Sequence, residues 1–509
     1  MLLPNEIIVD NFAGGGGAST GIEQALGRSV DIAINHDPEA IDMHKVNHPF
    51  TKHYCESVWD VDPVEACAGR PVGLAWFSPD CKHFSKAKGS RPVEKHIRGL
   101  AWVAVRWAMS VPLRVMMLEN VEEFLTWGPL VEVEPGKFKP CPDRKGETFE
   151  GFKNALTTGL KPTHPAWLEA IRSLGIQYNL REKLKLFKGL GYEMDHNIDR
   201  ACHFGSATIR KRFFMVARND GQTIHVPLAT HGEEGTGLAP LKTTAEHVID
   251  WSIPVRSIFG RPKPLVDNTM KRIAKGIQKF VIASENPYVV PDEFVIPFIT
   301  EHANSSSQRN MPADEPLRTI CAQVKGGHFA LVTAFIARHF TDAPSADITK
   351  PPPTVTAIDH NALVTSHMVK LRGTNVGHGV DEPLHTISAG GNHLGEVRAF
   401  LMKYYGTGTG ESINSPMGTV TTKDRFGLVV VEGEQYQIVD IGMRMLEPHE
   451  LYRAHGFPSD YVIAINSVGK KLSKKTQVRM VGNSVPIEAA KAFVQANFGL
   501  CAVREEVAA

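Results

Sequence analysis

The chain has 509 residues, with 56 Lys and Arg against 55 Asp and Glu, 42% hydrophobic and 22% charged. That is the balance of an ordinary globular protein, long enough for two or three domains. No apolar run approaches the ~20 residues of a membrane span, and the near-zero charge excludes a uniformly basic surface but not a local nucleic-acid face. The seven cysteines (55, 67, 81, 141, 202, 321 and 501) are scattered, and none forms Cys-x-x-Cys. Neither a disulfide framework nor a metal site is therefore expected. The first residues lack the basic flank and apolar stretch of a signal peptide, so the expectation is a cytoplasmic protein.

In chain order, Ile7–Val9 reads as a strand, followed by a run from Asp10 to Gly21 holding five glycines, and then by the helix-like Ile22–Leu26. Strand-like runs follow at Val30–Ile34, Val72–Phe77 and Val115–Leu118. Strand, turn, helix, strand is the pattern of a doubly wound parallel α/β sheet. Residues 128–165 are rich in Pro, Gly and Lys and read as an inserted surface loop. The sheet pattern resumes over Leu186–Arg218 and ends in a strand at Arg212–Ala217, while helical patterning returns at Leu446–His455 and Ile487–Phe498.

Between about 290 and 432 the chain repeats itself. Pro316, Pro351, Pro383 and Pro416 are each followed three residues on by Thr and then by a β-branched residue, at intervals of 35, 32 and 33. A second marker, led by His328, His360, His393 and Arg425 and closed by Val, keeps intervals of 32, 33 and 32. Two markers in step predict four strand-rich repeats of about 33 residues. The expected division is a catalytic part over 1–285, a repeat region over 286–435 and a return to the catalytic part over 436–509.

Three segments carry chemistry. The glycine run suits close approach of a ligand at a helix N-terminus, although phosphate, dinucleotide and S-adenosylmethionine sites all use such turns. Cys81 follows the strand Val72–Phe77, and from Lys82 to Arg98 there are six Lys and Arg against one Glu. Nearby cations favour a thiolate nucleophile, although a lone cysteine also suits a buried structural role. Glu119 ends the strand Val115–Leu118 and suits a proton donor to a heterocycle under thiolate attack, or an ion pair. Arg210 and Arg212 share one face of an extended segment and suit bidentate grip of a carbonyl or phosphate oxygen, or surface pairing.

Together these segments resemble the DNA cytosine-5 methyltransferases. Asp10–Gly21 resembles the family's cofactor loop, Pro79–Ser85 its Pro-Cys loop, Glu119-Asn120-Val121 its Glu-Asn-Val motif and Arg210-Lys211-Arg212 its Arg-x-Arg motif. Arg444–Glu450 with Gly456–Pro458 looks like its ninth motif, and Gly482–Pro486 like its tenth. The resemblance implies a Rossmann-like α/β S-adenosylmethionine-dependent methyltransferase sheet, with the repeats as an inserted β-rich target-recognition region. It implies Cys81 as nucleophile toward cytosine C6, Glu119 at N3, and Arg212 at O2 with Arg210 in support. The cofactor S-adenosylmethionine would meet Phe12, Ala13, Gly14, Gly16, Gly17, Asn35, Asp37, Glu56, Ser57, Asn483 and Ser484. Lys82, Ser85, Lys86, Arg309 and Arg372 would face DNA, Arg309 and Arg372 from polar repeat loops able to read base edges. The implied partner is double-stranded DNA, with a cognate restriction endonuclease as a further one, and the implied state is a monomer held at the nucleoid through DNA. An RNA substrate and a DNA-binding homologue without catalysis are the competing readings. The chain departs from the family pattern at Asp80 (usually Pro), Lys82 (usually Gln), Asn35 (usually acidic, with Asp37 two residues on), Glu56 (usually Asp) and Thr208 (usually Gln).

Overall fold

The structure is a computed structural model. It describes residues 1–79, 99–134, 137–232, 236–240, 245–253, 255–259, 261–284, 289–290, 298–302, 309–312, 328–332, 362–370, 375, 377–389, 393–403, 428–431 and 434–499. Cys81, Lys82, Ser85, Lys86 and Arg372 lie outside the described residues, as do most of the polar repeat loops.

The described chain forms two compact units. One comprises Met1–Val248, Pro383–Asn392 and Glu447–Ala509, and the other Ile249–Glu382 and His393–Leu446. The boundary thus falls at Val248 rather than near residue 285. The segment Pro383–Asn392, from the third repeat, belongs to the first unit.

The first unit is built on a seven-stranded sheet. Its strands are β1 (Ile7–Asn11), β2 (Ile32–Ile34), β3 (Lys52–Tyr54), β4 (Val72–Phe77), β5 (Leu113–Asn120), β8 (Glu193–Arg200) and β9 (Lys211–Arg218), in the order β3-β2-β1-β4-β5-β9-β8. β1 to β5 pair in parallel, but β9 runs antiparallel to both β5 and β8. The expected all-parallel sheet is therefore mixed. A strand's direction is set by the connection that delivers it, and no local propensity encodes it. The antiparallel placement has a consequence for chemistry, because it brings the amino end of β9 to the carboxyl end of β5.

Alternation along the strands builds two cores. Val9, Ala75, Phe77, Met116 and Phe213 face one side, and Ile8, Leu74, Trp76, Met117 and Phe214 the other. The helix α1 (Gly17–Leu26) shares the second core with the helix Ile487–Phe498, which the sequence pattern placed at the same residues. Residues 128–165 correct the expectation of a surface loop. They contain a hairpin, β6 (Leu130–Glu134) with β7 (Lys137–Pro140), and a helix, Glu147–Leu156. Phe149, Phe152 and Leu156 recur at helical spacing and enter the first core beside Trp102 and Trp127. Their burial outweighs the turn-forming composition around them. Two short strands, β10 (His231–Gly232) and β11 (Ala239–Pro240), pair with each other in parallel.

The second unit is antiparallel. β12 (Arg256–Ser257), β16 (Ala362–Lys370), β17 (Leu394–Lys403), β18 (Leu428–Val431) and β19 (Glu434–Met445) form one sheet. β13 (Phe298–His302), β14 (Arg309–Pro312) and β15 (His328–Val332) form another. The helix Asp267–Ile277 lays Ile273 and Ile277 on Val369, Val397 and Ile441 of the larger sheet. The four Val-closed marker segments run into β15, β16, β17 and β18.

Candidate functional site

Strand order places the site. From β1 the chain steps outward to β2 and β3, then returns to β4 on the other side of β1. Ligands bind at the carboxyl ends of strands where such an order reverses. At that rim stand the turn 12–16 after β1, Asn35–Asp37 after β2, Glu56 and Ser57 after β3, Ser78 and Pro79 after β4, and Glu119–Val121 at the end of β5.

The glycine turn is built tightly. Phe12 has φ +67°, Gly14 φ +52° and Gly16 φ +90°, and Gly16 N–H closes the turn on Ala13 O at 3.0 Å. The reasons for the individual glycines differ. A Cβ on Gly17 would collide with Ser484 Oγ and Val485 O, one on Gly21 would meet the Ala490 Cβ, and one on Gly16 would collide with Tyr461. These glycines admit the chain's own last segment. At Gly14 the nearest atom to a Cβ is Phe12 O at 3.7 Å, so the cradle has room there.

Beneath the turn, the buried Asp10 accepts a hydrogen bond from Ser19 Oγ at 2.7 Å. Burial lifts its carboxyl to about 7, against the pull of the Ser19 hydroxyl. Ser19 Oγ also meets His44 Nε2 at 2.9 Å, and His44 Nδ1 meets His53 Nε2 at 2.8 Å. Burial holds His53 down at about 4 and His44 well below its ordinary value. The adjacent Asn11 is fully buried with neither side-chain polar atom hydrogen-bonded. An orphaned amide and an open cradle at a switch-point rim fit a ligand with polar groups of its own.

Asp37 is already engaged. It caps the helix Pro38–Asn47 by accepting from Glu39 and Ala40 N–H, and it pairs with Arg479, which also holds Glu39 at 2.6 Å. The capping hydrogen bonds and the guanidinium hold the Asp37 carboxyl below its usual range despite burial. Asn35 Oδ1 accepts from Asp37 N–H at 2.9 Å. Glu56 and Asn483 are exposed, and Ser57 Oγ accepts from Trp59 N–H at 3.3 Å.

On the other side of β4, Arg212 Nε lies 2.8 Å from Glu119 Oε1, and both residues are largely buried. They meet because β9 is antiparallel. Asn120 Nδ2 donates to Pro79 O at 3.2 Å, tying the end of β5 to the residue that leads into Asp80 and Cys81. Arg210 turns away from Glu119 and donates to Gly482 O at 3.0 Å and Ile387 O at 3.3 Å. The lack of a side chain at Gly482 lets Ser388 and Ala389 pack against it. His455 is buried with both ring nitrogens unbonded, and burial followed by Arg210 and Arg212 holds it well below its ordinary pKa. The sequence reading missed Ser19, His44 and Arg479. A polar residue two positions into a glycine-led helix was the available signal for Ser19; Arg479 is 442 residues from Asp37 and gave none. Arg309 lies in β14 of the second unit.

A family model described as C-5 cytosine-specific DNA methylase matches residues 7–128 and 345–498, more than half of the chain. The Type II methyltransferase M.XorII of Xanthomonas oryzae pv. oryzae is 34% identical over 119 residues, which is 22% of this chain and 28% of that relative's length. Among solved structures, the Entamoeba histolytica methyltransferase EhMeth aligns over 97% of this chain and 98% of its own, with a TM-score of 0.41 and 10% identity. The S. pombe Dnmt2 methyltransferase aligns over 96% and 97%, with a TM-score of 0.43 and 10% identity.

Proposed function

Because this chain belongs to the C-5 cytosine-specific DNA methylase family, we propose that it methylates C5 of cytosine in a specific sequence of double-stranded DNA. The observation that carries the reading is the ion pair of Arg212 with Glu119 at 2.8 Å, on the rim beside Pro79. The target cytosine flips out of the duplex to meet the Cys81 thiol, as enzymes that act on a base require. Once Glu119 has taken a proton from solvent and released its ion pair, Arg212 is free to hold O2, and the Cys81 thiolate adds to C6 as Glu119 delivers that proton to N3. Arg210 acts in support, by holding Gly482 O and Ile387 O. S-adenosylmethionine, when bound, supplies the methyl electrophile for C5. Solvent then takes the C5 proton, the Cys81–C6 bond breaks to free the thiolate, and the N3 proton returns to Glu119, which restores the pyrimidine.

Phe12, Ala13, Gly14, Asn35, Asp37, Glu56, Ser57, Asn483 and Ser484 would hold the cofactor, whose sulfonium methyl would supply the group transferred. Gly16 and Gly17 serve it indirectly, by admitting the last segment of the chain. The four repeats form the target-recognition region, in which Arg309 and Arg372 read base edges and Lys82, Ser85 and Lys86 meet the duplex around the flipped base. The type II designation of the Xanthomonas relative supports a cognate restriction endonuclease as a partner in the cell.

Incubating the protein and S-adenosylmethionine with duplexes carrying 5-fluorocytosine tests this directly. The expected result is a covalent adduct that Cys81→Ala abolishes. DNA binding without an adduct would overturn the catalytic reading, and an adduct formed on RNA alone would overturn the substrate. Replacing Arg309 and Arg372 by Ala should alter which duplexes form adduct; an unchanged preference would overturn their assignment.

A further inference from the structure

Among the described residues, one group of side chains fastens the glycine turn from behind, and none of the motifs accounts for it. Tyr461, three residues after Pro458, donates from its hydroxyl to Gly15 O at 2.7 Å. The same hydroxyl lies 3.3 Å from His48 Nε2, and His48 Nδ1 lies 3.0 Å from Glu23 Oε1. Thr20 Oγ1 donates to Gly16 O at 2.8 Å, one peptide further on.

The direction of these bonds follows from what each atom can do. A carbonyl oxygen only accepts, so the single Tyr461 hydrogen is committed to Gly15 O. Burial pushes the tyrosine hydroxyl well above its ordinary pKa and keeps that hydrogen in place. Tyr461 Oη can then only accept, and the ring nitrogen beside it is His48 Nε2, which also lies 3.5 Å from Thr20 Oγ1. The other His48 nitrogen faces the Glu23 carboxylate. The histidine is thus held between an acid and the tyrosine, and it orients the hydroxyl toward the turn.

The peptide between Gly15 and Gly16 is the part of the turn most in need of such a hold. With a glycine on each side it rotates at little steric cost. Here it is fastened at both ends, its N–H to Ala13 O at 3.0 Å and its carbonyl to Tyr461. The residue type at 16 is part of the device, since a Cβ there would collide with Tyr461 Oη.

We propose that Tyr461, oriented by His48, is a positioning residue for S-adenosylmethionine: by locking the Gly15–Gly16 peptide it sets how the turn's polar groups face the cofactor. The inference rests on the reading of this rim as the cofactor site.

Tyr461→Phe removes one oxygen and keeps the ring that packs on Phe457 and Tyr452. Calorimetric titration of the full chain with S-adenosylhomocysteine is the test. The expected Kd rises about 5- to 10-fold, the scale of one lost hydrogen bond. In the methylation assay the KM for S-adenosylmethionine should rise in step while kcat stays within about twofold. His48→Gln should weaken binding in the same direction, and it replaces Tyr461→Phe as the deciding variant if the latter does not fold. A purely structural tyrosine would lower Tm and leave Kd within about twofold of the wild type, and that result overturns the proposal while leaving the cofactor reading intact. Absence of S-adenosylhomocysteine binding by the wild-type protein would overturn the cofactor reading, and this proposal with it.

Discussion

Each unit of the molecule buries a glutamate against arginine, and the two are satisfied to different degrees. In the second unit, Glu396 is wholly buried and accepts from Arg398 Nε at 2.5 Å, from the Arg398 terminal nitrogen at 3.3 Å and from Ser366 Oγ at 3.2 Å, with the Arg444 guanidinium as a second cation 3.1 Å away. Both arginines spend further hydrogens on backbone carbonyls, Arg398 on Trp251 O and Arg444 on Asp250 O. In the first unit, Glu119 has one arginine close by, and its Oε1 lacks an aligned hydrogen bond despite lying 2.8 Å from Arg212 Nε. A carboxylate whose acceptor sites are filled braces structure. One held at a rim with sites in hand is available to a substrate.

The contrast breaks first on activity. Glu119→Gln keeps the shape and removes the acid, so methyl transfer to duplex DNA should fall by about 10²- to 10⁴-fold with little change in Tm. Equal activity in the variant would make Glu119 a structural acid like Glu396. Glu396→Gln should do the reverse. It leaves two buried guanidiniums short of a counter-charge, and equilibrium denaturation should show a loss of about 3–5 kcal/mol. A loss below about 1 kcal/mol would mean that the two glutamates do not differ in kind.

A third buried carboxylate, Asp10, sharpens the comparison through pH. It is partnered by a hydroxyl rather than a cation, and burial raises its pKa from 3.8 to about 7. A raised folded-state pKa stabilises the fold below the unfolded value, and that contribution is lost as pH rises from about 4 to about 7. Across this window the wild type should lose up to ~1.4 kcal/mol per pH unit relative to Asp10→Asn, with the difference flat above it. Parallel stability profiles for the two proteins would show that the hydroxyl of Ser19 serves Asp10 as well as a cation would.

Much of the fold was readable where local pattern and final environment agree. Val72–Phe77 is apolar throughout because a central parallel strand is covered on both faces, and it forms β4 at those residues. Ile487–Phe498 kept its period because one face lies on α1. The helix 147–156 was hidden by the Pro, Gly and Lys around it, although Phe149, Phe152 and Leu156 carried its period. The rim residues Glu119, Arg210 and Arg212 were readable as types at strand ends. That Arg212 meets Glu119 while Arg210 turns to Gly482 O and Ile387 O was not, because those partners are far away in the chain.

By itself the amino-acid sequence determined the family, four of the five parallel strands with their glycine turn, and the residue types at the strand ends, since each depends on neighbours a few positions away. Only the tertiary structure decided the reversed direction of β9, the capture of Asp37 by Arg479, and the duties of the glycines, of which Gly16, Gly17 and Gly21 make way for Tyr461, Ser484 and Ala490. Those outcomes join segments far apart in the chain, and contacts at such separations are set by packing and by the path of the chain rather than by local conformational preference.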